Sequence, residues 1–360
     1  MCFAEANMPK SLSNFLCALA PVLFCALTSL AQIAQLQAKA EAGDEAAEFA
    51  LAKAYDEGKD VTQSDEKAAK WYRAAAGKGN AAAQNDIGLM LMSGRGVDKN
   101  KEEAVTWYRK AARQKNPSAM FNLGTAYYNG DGVDINDVAA YSWFLLAQDF
   151  GSTPAVDAVK RMDDEKGNLR AEALETVGDM YQAGAGLPRS SDDAALWYRK
   201  AADLGSPSSQ MKLVGILLEG PNAAAHHADA LQLCQKAASL NYAPGAYCVG
   251  RFYQQGLSVD KDPVKAAKSF EEAANLGDAP AMLRLADIYW KGDGVKQDKT
   301  VAYEYILLAS SGNVAEAIQE KDSFEKQMTA KEIEKGKAKA IQWTRQRSSL
   351  VLMKRTPSTN

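Results

Sequence analysis

Seven glycines stand in register along this chain: Gly58, Gly94, Gly130, Gly184, Gly220, Gly256 and Gly292. Successive members lie 36 residues apart, except for one step of 54. Other columns keep the same step. An apolar column reads Leu51, Ile87, Leu123, Val177, Leu213, Val249 and Leu285, and a small residue follows it in most copies. An aromatic column reads Trp71, Trp107, Trp143 and Trp197, then continues as Leu233, Ser269 and Tyr305. Small pairs such as Ala75-Ala76, Ala111-Ala112 and Ala201-Ala202 come next, and the hexapeptide WYRKAA recurs unchanged at 107–112 and 197–202. A unit of this length cannot bury its own apolar stripe, so neighbouring units have to stack.

Each copy reads as a helical hairpin. In the third, Met120, Leu123, Gly124 and Tyr127 sit at helical spacing, and Gly130 follows where a left-handed residue ends a helix at least cost. The loop DGVDIND is turn chemistry, with Asp137 as the expected N-cap of a second helix over 138–149. Gly124 and the alanine pairs lack bulk, so two helix backbones can approach there. The aromatic at Trp143 is expected to fill the adjoining space as wall rather than as active site. The period breaks twice: at an 18-residue insertion, Ser152 to Leu169, and after the seventh copy. Similar strings precede both breaks, AYSWFLLA at 140–147 and AYEYILLA at 302–309.

Charge excludes some classes. The formal net charge is −3, and the last 26 residues hold seven basic and no acidic groups, which leaves −10 for the remainder. That balance does not point to nucleic acid. The basic C-terminal tail reads either as a solvated end or as a weak contact for anionic membrane or wall polymer. At the other end, Lys10 precedes an apolar stretch from Phe15 to Leu30, closed by the small-residue pattern Ser29-Leu30-Ala31. This order predicts a secretory signal over 1–31, with a membrane anchor as the alternative. Three of five cysteines fall inside it. Cys234 and Cys248 remain, either paired in an oxidising compartment or buried as free thiols.

The columns resemble the Sel-like repeat family, a branch of the tetratricopeptide-like helical solenoids. Its pattern runs A-x-x-x-L-G-x-x-Y-x-x-G-x-G-V, then A-x-x-W-Y-x-K-A-A-x-x-G. The third copy carries Leu123, Gly124, Tyr127, Gly130, Gly132, Val133 and Trp143 of it. The fifth departs most, with GPNAAAHHADAL in place of the loop and Leu233-Cys234 in place of Trp-Tyr. The resemblance implies an all-α fold: a right-handed α/α solenoid of about seven 36-residue helix-turn-helix repeats with terminal capping helices. The expected layout is an N-terminal cap and repeats 1–3 over 32–151, a spacer or capping helix over 152–169, and repeats 4–7 over 170–313. Capping helices over 314–343 and a basic flexible tail over 344–360 follow.

Nothing in the chain spells catalysis, a cofactor or a metal site. Its two histidines, His226 and His227, are adjacent and so point about 100° apart on a helix, a poor arrangement for one ion. The run Asp163-Asp164-Glu165 reads as a solvated helix face. Cysteine-rich bacterial members of the resembled family are linked to β-lactam binding and weak hydrolysis. Their paired columns match Ala238 and Ala246 here, so cell-wall fragment or β-lactam chemistry stands as the alternative reading. The resemblance implies instead a partner protein docked on a concave face lined by first helices. The residues expected there are Tyr128, Asn129, Asp179, Gln182, Arg251, Gln254, Trp290 and Lys291. Similar periplasmic members regulate membrane sensor kinases or serve the cell envelope, which makes a sensor kinase or an envelope component the expected partner and the periplasm the expected location.

Overall fold

The computed structural model describes the backbone of residues 31–355 and the side chains of residues 31–347. The expected signal segment up to Leu30, with Cys2, Cys17 and Cys25, lies outside the described residues, as do the side chains of Lys354 and Arg355. Every regular element among the described residues is a helix. The fold is an all-α solenoid of helix-turn-helix repeats, and the chain divides into two compact units at Ser190/Ser191.

In the first unit, α1 (31–41) packs Leu36 and Ala40 against the first hairpin. Three hairpins follow: α2 (Glu45–Glu57) with α3 (Asp65–Gly77), α4 (Ala81–Ser93) with α5 (Lys101–Arg113), and α6 (Pro117–Asn129) with α7 (Asp137–Asp149). The inserted residues form α8 (Thr153–Lys166) and a 3-10 turn, and α9 (Arg170–Ala183) ends the unit. The second unit begins with α10 (Ser191–Asp203). Three hairpins follow it: α11 (Pro207–Leu217) with α12 (His227–Ser239), α13 (Ala243–Gln255) with α14 (Pro263–Asn275), and α15 (Ala279–Lys291) with α16 (Lys299–Ser311). It closes with α17 (Ala315–Glu325) and α18 (Ala330–Arg355). α18 runs past the boundary expected at 343 as far as Arg355, and Arg347 donates to the carbonyls of Ala274 and Leu276.

Local chemistry sets the hairpin ends. The Asn116 side chain accepts from Ala119 N at 2.9 Å, Pro117 occupies the first turn, and Gly130 ends α6 at φ 75°. The N-cap of α7 is Asn136 rather than Asp137. Its side chain accepts from Ala139 N, and Asp137 becomes the first helical residue, where its charge suits the helix dipole.

The aromatic that fills the hairpin is not the tryptophan but the residue after it. A Cβ built on Gly124 would lie 2.5 Å from the Phe144 ring, and one on Gly88 would lie 2.5 Å from Tyr108. Successive residues on a helix point about 100° apart, so only one of the two rings can face its own hairpin partner. Tyr72, Tyr108 and Phe270 are buried, while Trp71 and Trp107 are half-buried with lysine ammoniums over their rings. The fifth repeat exchanges the two sizes. Val214 replaces the glycine and Cys234 replaces the ring, within one apolar cluster. Cys234 is bonded to Cys248 of α13 as a disulfide with a Cα–Cα distance of 5.7 Å, which decides between the two cysteine readings.

Repeats meet at a second glycine. At Gly132 (φ 73°) a Cβ would lie 2.4 Å from the Lys101 carbonyl oxygen, at the start of the preceding repeat's second helix. Gly96 against Asp65 and Gly294 against Pro263 repeat that contact. Only glycine lets the loop backbone come so close.

Candidate functional site

Helices α4, α6 and α8 of the first unit form a connected face. Asn122 on α6 donates to Asn85 on α4 at 2.8 Å, and Tyr128 on α6 donates to Glu165 on α8 at 3.1 Å. Between α6 and α8 lies a groove of about 280 Å³. Phe121, Thr125, Tyr128 and Asn129 line one side; Pro154, Asp157 and Arg161 line the other. Tyr128 and Asn129, both expected from sequence, therefore meet in one groove. Asn129 is exposed and donates to Asp131 at 3.3 Å. The α8 side of the groove goes unrecognised in the sequence, where the insertion reads as a spacer. Its signal is the string Ser152-Thr153-Pro154-Ala155, which echoes the Asn116-Pro117-Ser118-Ala119 opening of a first helix.

The other expected residues are spread out. Asp179 on α9 is exposed, and Gln182 one turn on is half-buried with its Oε1 shielded from solvent. Arg251 is exposed and Gln254 half-buried on α13. Lys291 is exposed and pairs with Asp287 at 2.6 Å within α15. Trp290 is occupied internally. Its ring stacks on Phe324 of α17 at 4.1 Å, Lys299 lies 5.0 Å over it, and its carbonyl accepts from Gln297. Trp290 is expected from sequence on the partner-binding face; the stack instead seats its half-buried ring against the core of the second unit.

The carboxylate run in α8 is not simply solvated. Asp163 accepts from both the Tyr141 hydroxyl and Arg170, tying α7, α8 and α9 together. Burial, reinforced by the bond to Asp163, pushes the Tyr141 hydroxyl up to about 12. In α16, burial likewise raises Glu304, with Lys339 at 3.8 Å opposing the shift. Both groups sit at helix junctions and hold packing together. His227 lies edge-on to Phe252, and no cluster of three or more metal-ligating side chains occurs among the described residues. No helix among the described residues is long and apolar enough to cross a membrane.

Known proteins show the same repeat. The Sel1 repeat pattern matches residues 45–80, 81–116, 117–147, 171–206, 227–242, 243–278 and 279–314. The fifth match covers only 227–242, the α12 half of the repeat that departs most in sequence. An uncharacterised protein of Neisseria meningitidis is 30% identical over 132 residues, or 34% of this chain and 26% of that protein, so the chain spans about a quarter of its length. A Sel1 repeat protein from Oxalobacter formigenes is 27% identical, with 82% of this chain and 80% of that one covered and a TM-score of 0.40. The uropathogenic Escherichia coli protein c5321, a protective antigen displaying an SLR fold, is 22% identical, with 91% and 98% covered and a TM-score of 0.34. With matches over more than half its length, the chain belongs to the Sel1 repeat family, whose members generally serve as protein–protein interaction scaffolds.

Proposed function

We propose that this chain is a non-catalytic scaffold of the bacterial periplasm that docks an extended segment of another protein on its first-helix face. The observation that carries the reading is the groove between α6 and α8. It sets the rings of Phe121 and Tyr128 beside Asn129, Asp157 and Arg161, a mixture of aromatic, amide and charged groups suited to a peptide. The Cys234–Cys248 disulfide favours an oxidising compartment, as does the signal-like order of the first 31 residues. The partner classes this favours are a membrane sensor kinase or an envelope component. The disulfide joins columns other than those of the cysteine-rich relatives, so β-lactam chemistry gains no support from it.

Photo-crosslinking tests the reading. The exported protein carrying p-benzoylphenylalanine in place of Asn129 should give one discrete protein adduct, and the same group in place of Lys70, on the outer side of α3, should give none. Absence of any adduct, with saturable binding of a muropeptide or penicillin, sinks it. N-terminal sequencing of the exported protein should start near Gln32; a different start refutes the cleavage site.

A further inference from the structure

A second groove, of about 480 Å³, lies in the first unit where α5, α7 and α9 meet. Its floor is the Trp143 indole, only 6% exposed, flanked by Met180 and Gly186. A Cβ on Gly186 would lie 3.3 Å from that indole. The corresponding glycines elsewhere, Gly132 and Gly294, lie instead on the start of the preceding second helix. At Gly186 the loop is therefore displaced along α7, and the groove sits beside it. Its α5 wall presents Arg109, Lys110 and Arg113.

We infer that this groove binds an acidic peptide segment whose carboxylates alternate with apolar side chains. The inference rests on the scaffold reading and adds a second contact of defined chemistry. Among the described residues none of the three cations forms an ion pair, whereas Arg73, Arg95, Lys101 and Lys166 each hold a carboxylate. Arg109 donates to the neutral Tyr127 hydroxyl at 2.9 Å, which positions the guanidinium and leaves its other N–H groups available. Lys110 lies over the Trp107 ring at 3.9 Å. Arg109 and Arg113 are one helical turn apart, so their stems stand about 5–6 Å from each other. Carboxylates two residues apart on an extended peptide stand about 6.5–7 Å from each other, close to that spacing. The intervening apolar side chain would point at Trp143 and Met180. Guanidinium groups select carboxylates through paired N–H donors, so charge and register act together.

The molecule contains its own control. At positions 162 residues further on, α14 presents Glu271, Glu272 and Asn275 in place of the three cations, and Tyr289 and Tyr305 replace Tyr127 and Trp143. There Tyr289 donates to Glu271 at 2.7 Å and stacks on Tyr305 at 5.9 Å. The frame recurs with the opposite charge.

The test uses the full exported chain and a fluorescein-labelled hexapeptide, Glu-Phe-Glu-Leu-Glu-Phe, followed by fluorescence anisotropy. The peptide should bind, and added salt should weaken it. The Arg109→Glu/Arg113→Glu variant should lose about tenfold or more in affinity, as expected for two charge-assisted contacts, with an unchanged circular dichroism melt. Glu271→Ala/Glu272→Ala should bind like the parent. No binding, equal binding of the double-Arg variant, equal binding of the peptide with lysine in place of glutamate, or full displacement by equimolar inorganic phosphate overturns the inference. An adduct at position 129 without acidic-peptide binding sinks this inference alone. Acidic-peptide binding without any protein adduct sinks the scaffold reading alone.

Discussion

After the third repeat α8 and α9 pack on α7; after the seventh α17 and α18 pack on α16. In each case a tyrosine of the second helix donates to a carboxylate 22 residues on, Tyr141 to Asp163 and Tyr303 to Glu325. Around this shared frame the side chains differ. Arg170 joins the first tyrosine–carboxylate pair, whereas Lys321 pairs with Glu325 along the same helix in the second. Leu174 is buried on α9, whereas the corresponding residue of α18 is Gly336, where a Cβ would lie 2.8 Å from the Tyr303 ring. Arg109, Lys110 and Arg113 of α5 stand where α14 carries Glu271, Glu272 and Asn275. One backbone device thus closes the array twice, while volume and charge around it are free to diverge. The shared part is the tyrosine and its acceptor, because those position the helices.

Volume offers the largest test of that comparison. Leu174→Ala should cost about 2–4 kcal/mol, seen as lost amide protection in α7 and α9, because it removes a buried side chain and leaves a cavity. Gly336→Leu should cost about 1–3 kcal/mol by overpacking against Tyr303, with lost protection confined to α16 and α18. A neutral Gly336→Leu would mean the two closings are not seated alike. Smaller effects should follow from the hydroxyls. Tyr141→Phe should destabilise by about 1.5 kcal/mol in urea titrations and Tyr303→Phe by about 1, because the first removes two charged partners and the second one. Equal losses would show that Arg170 adds nothing. Smallest of all, Arg113→Glu should shift stability by less than about 0.5 kcal/mol. A larger change would make the basic wall structural and blur the distinction from Glu271 and Glu272.

Much of the fold is legible in sequence because the signals repeat and act within one hairpin. The glycine column, the asparagine and aspartate caps and the alanine pairs each solve a local problem in several copies. The choice between Trp143 and Phe144 as hairpin filler is not legible, since both are aromatic and adjacent, and only the direction of each side chain separates them. The Tyr141–Asp163 bond spans 22 residues and leaves no periodic trace; its one signal is the second copy at Tyr303 and Glu325. Trp290 misleads for the same reason, since Phe324 lies in α17, beyond the seventh repeat. Tyr128 and Asn129 line the groove from the last turn of α6. The α8 wall opposite them belongs to no repeat, so no column announces it.

The glycine seam between repeats has a consequence for cooperativity. Gly132 belongs by sequence to the third repeat, yet the atoms that exclude a side chain there are the Lys101 carbonyl and the Glu102 nitrogen of the second. A substitution in one repeat is therefore felt first in its predecessor, and the coupling runs backward along the chain. In a linear array described by intrinsic and nearest-neighbour energies, Gly132 contributes almost wholly to the neighbour term. Opening of α6 and α7 would release the start of α5 as well, so the smallest piece of this molecule that melts on its own is larger than the 36 residues its sequence repeats.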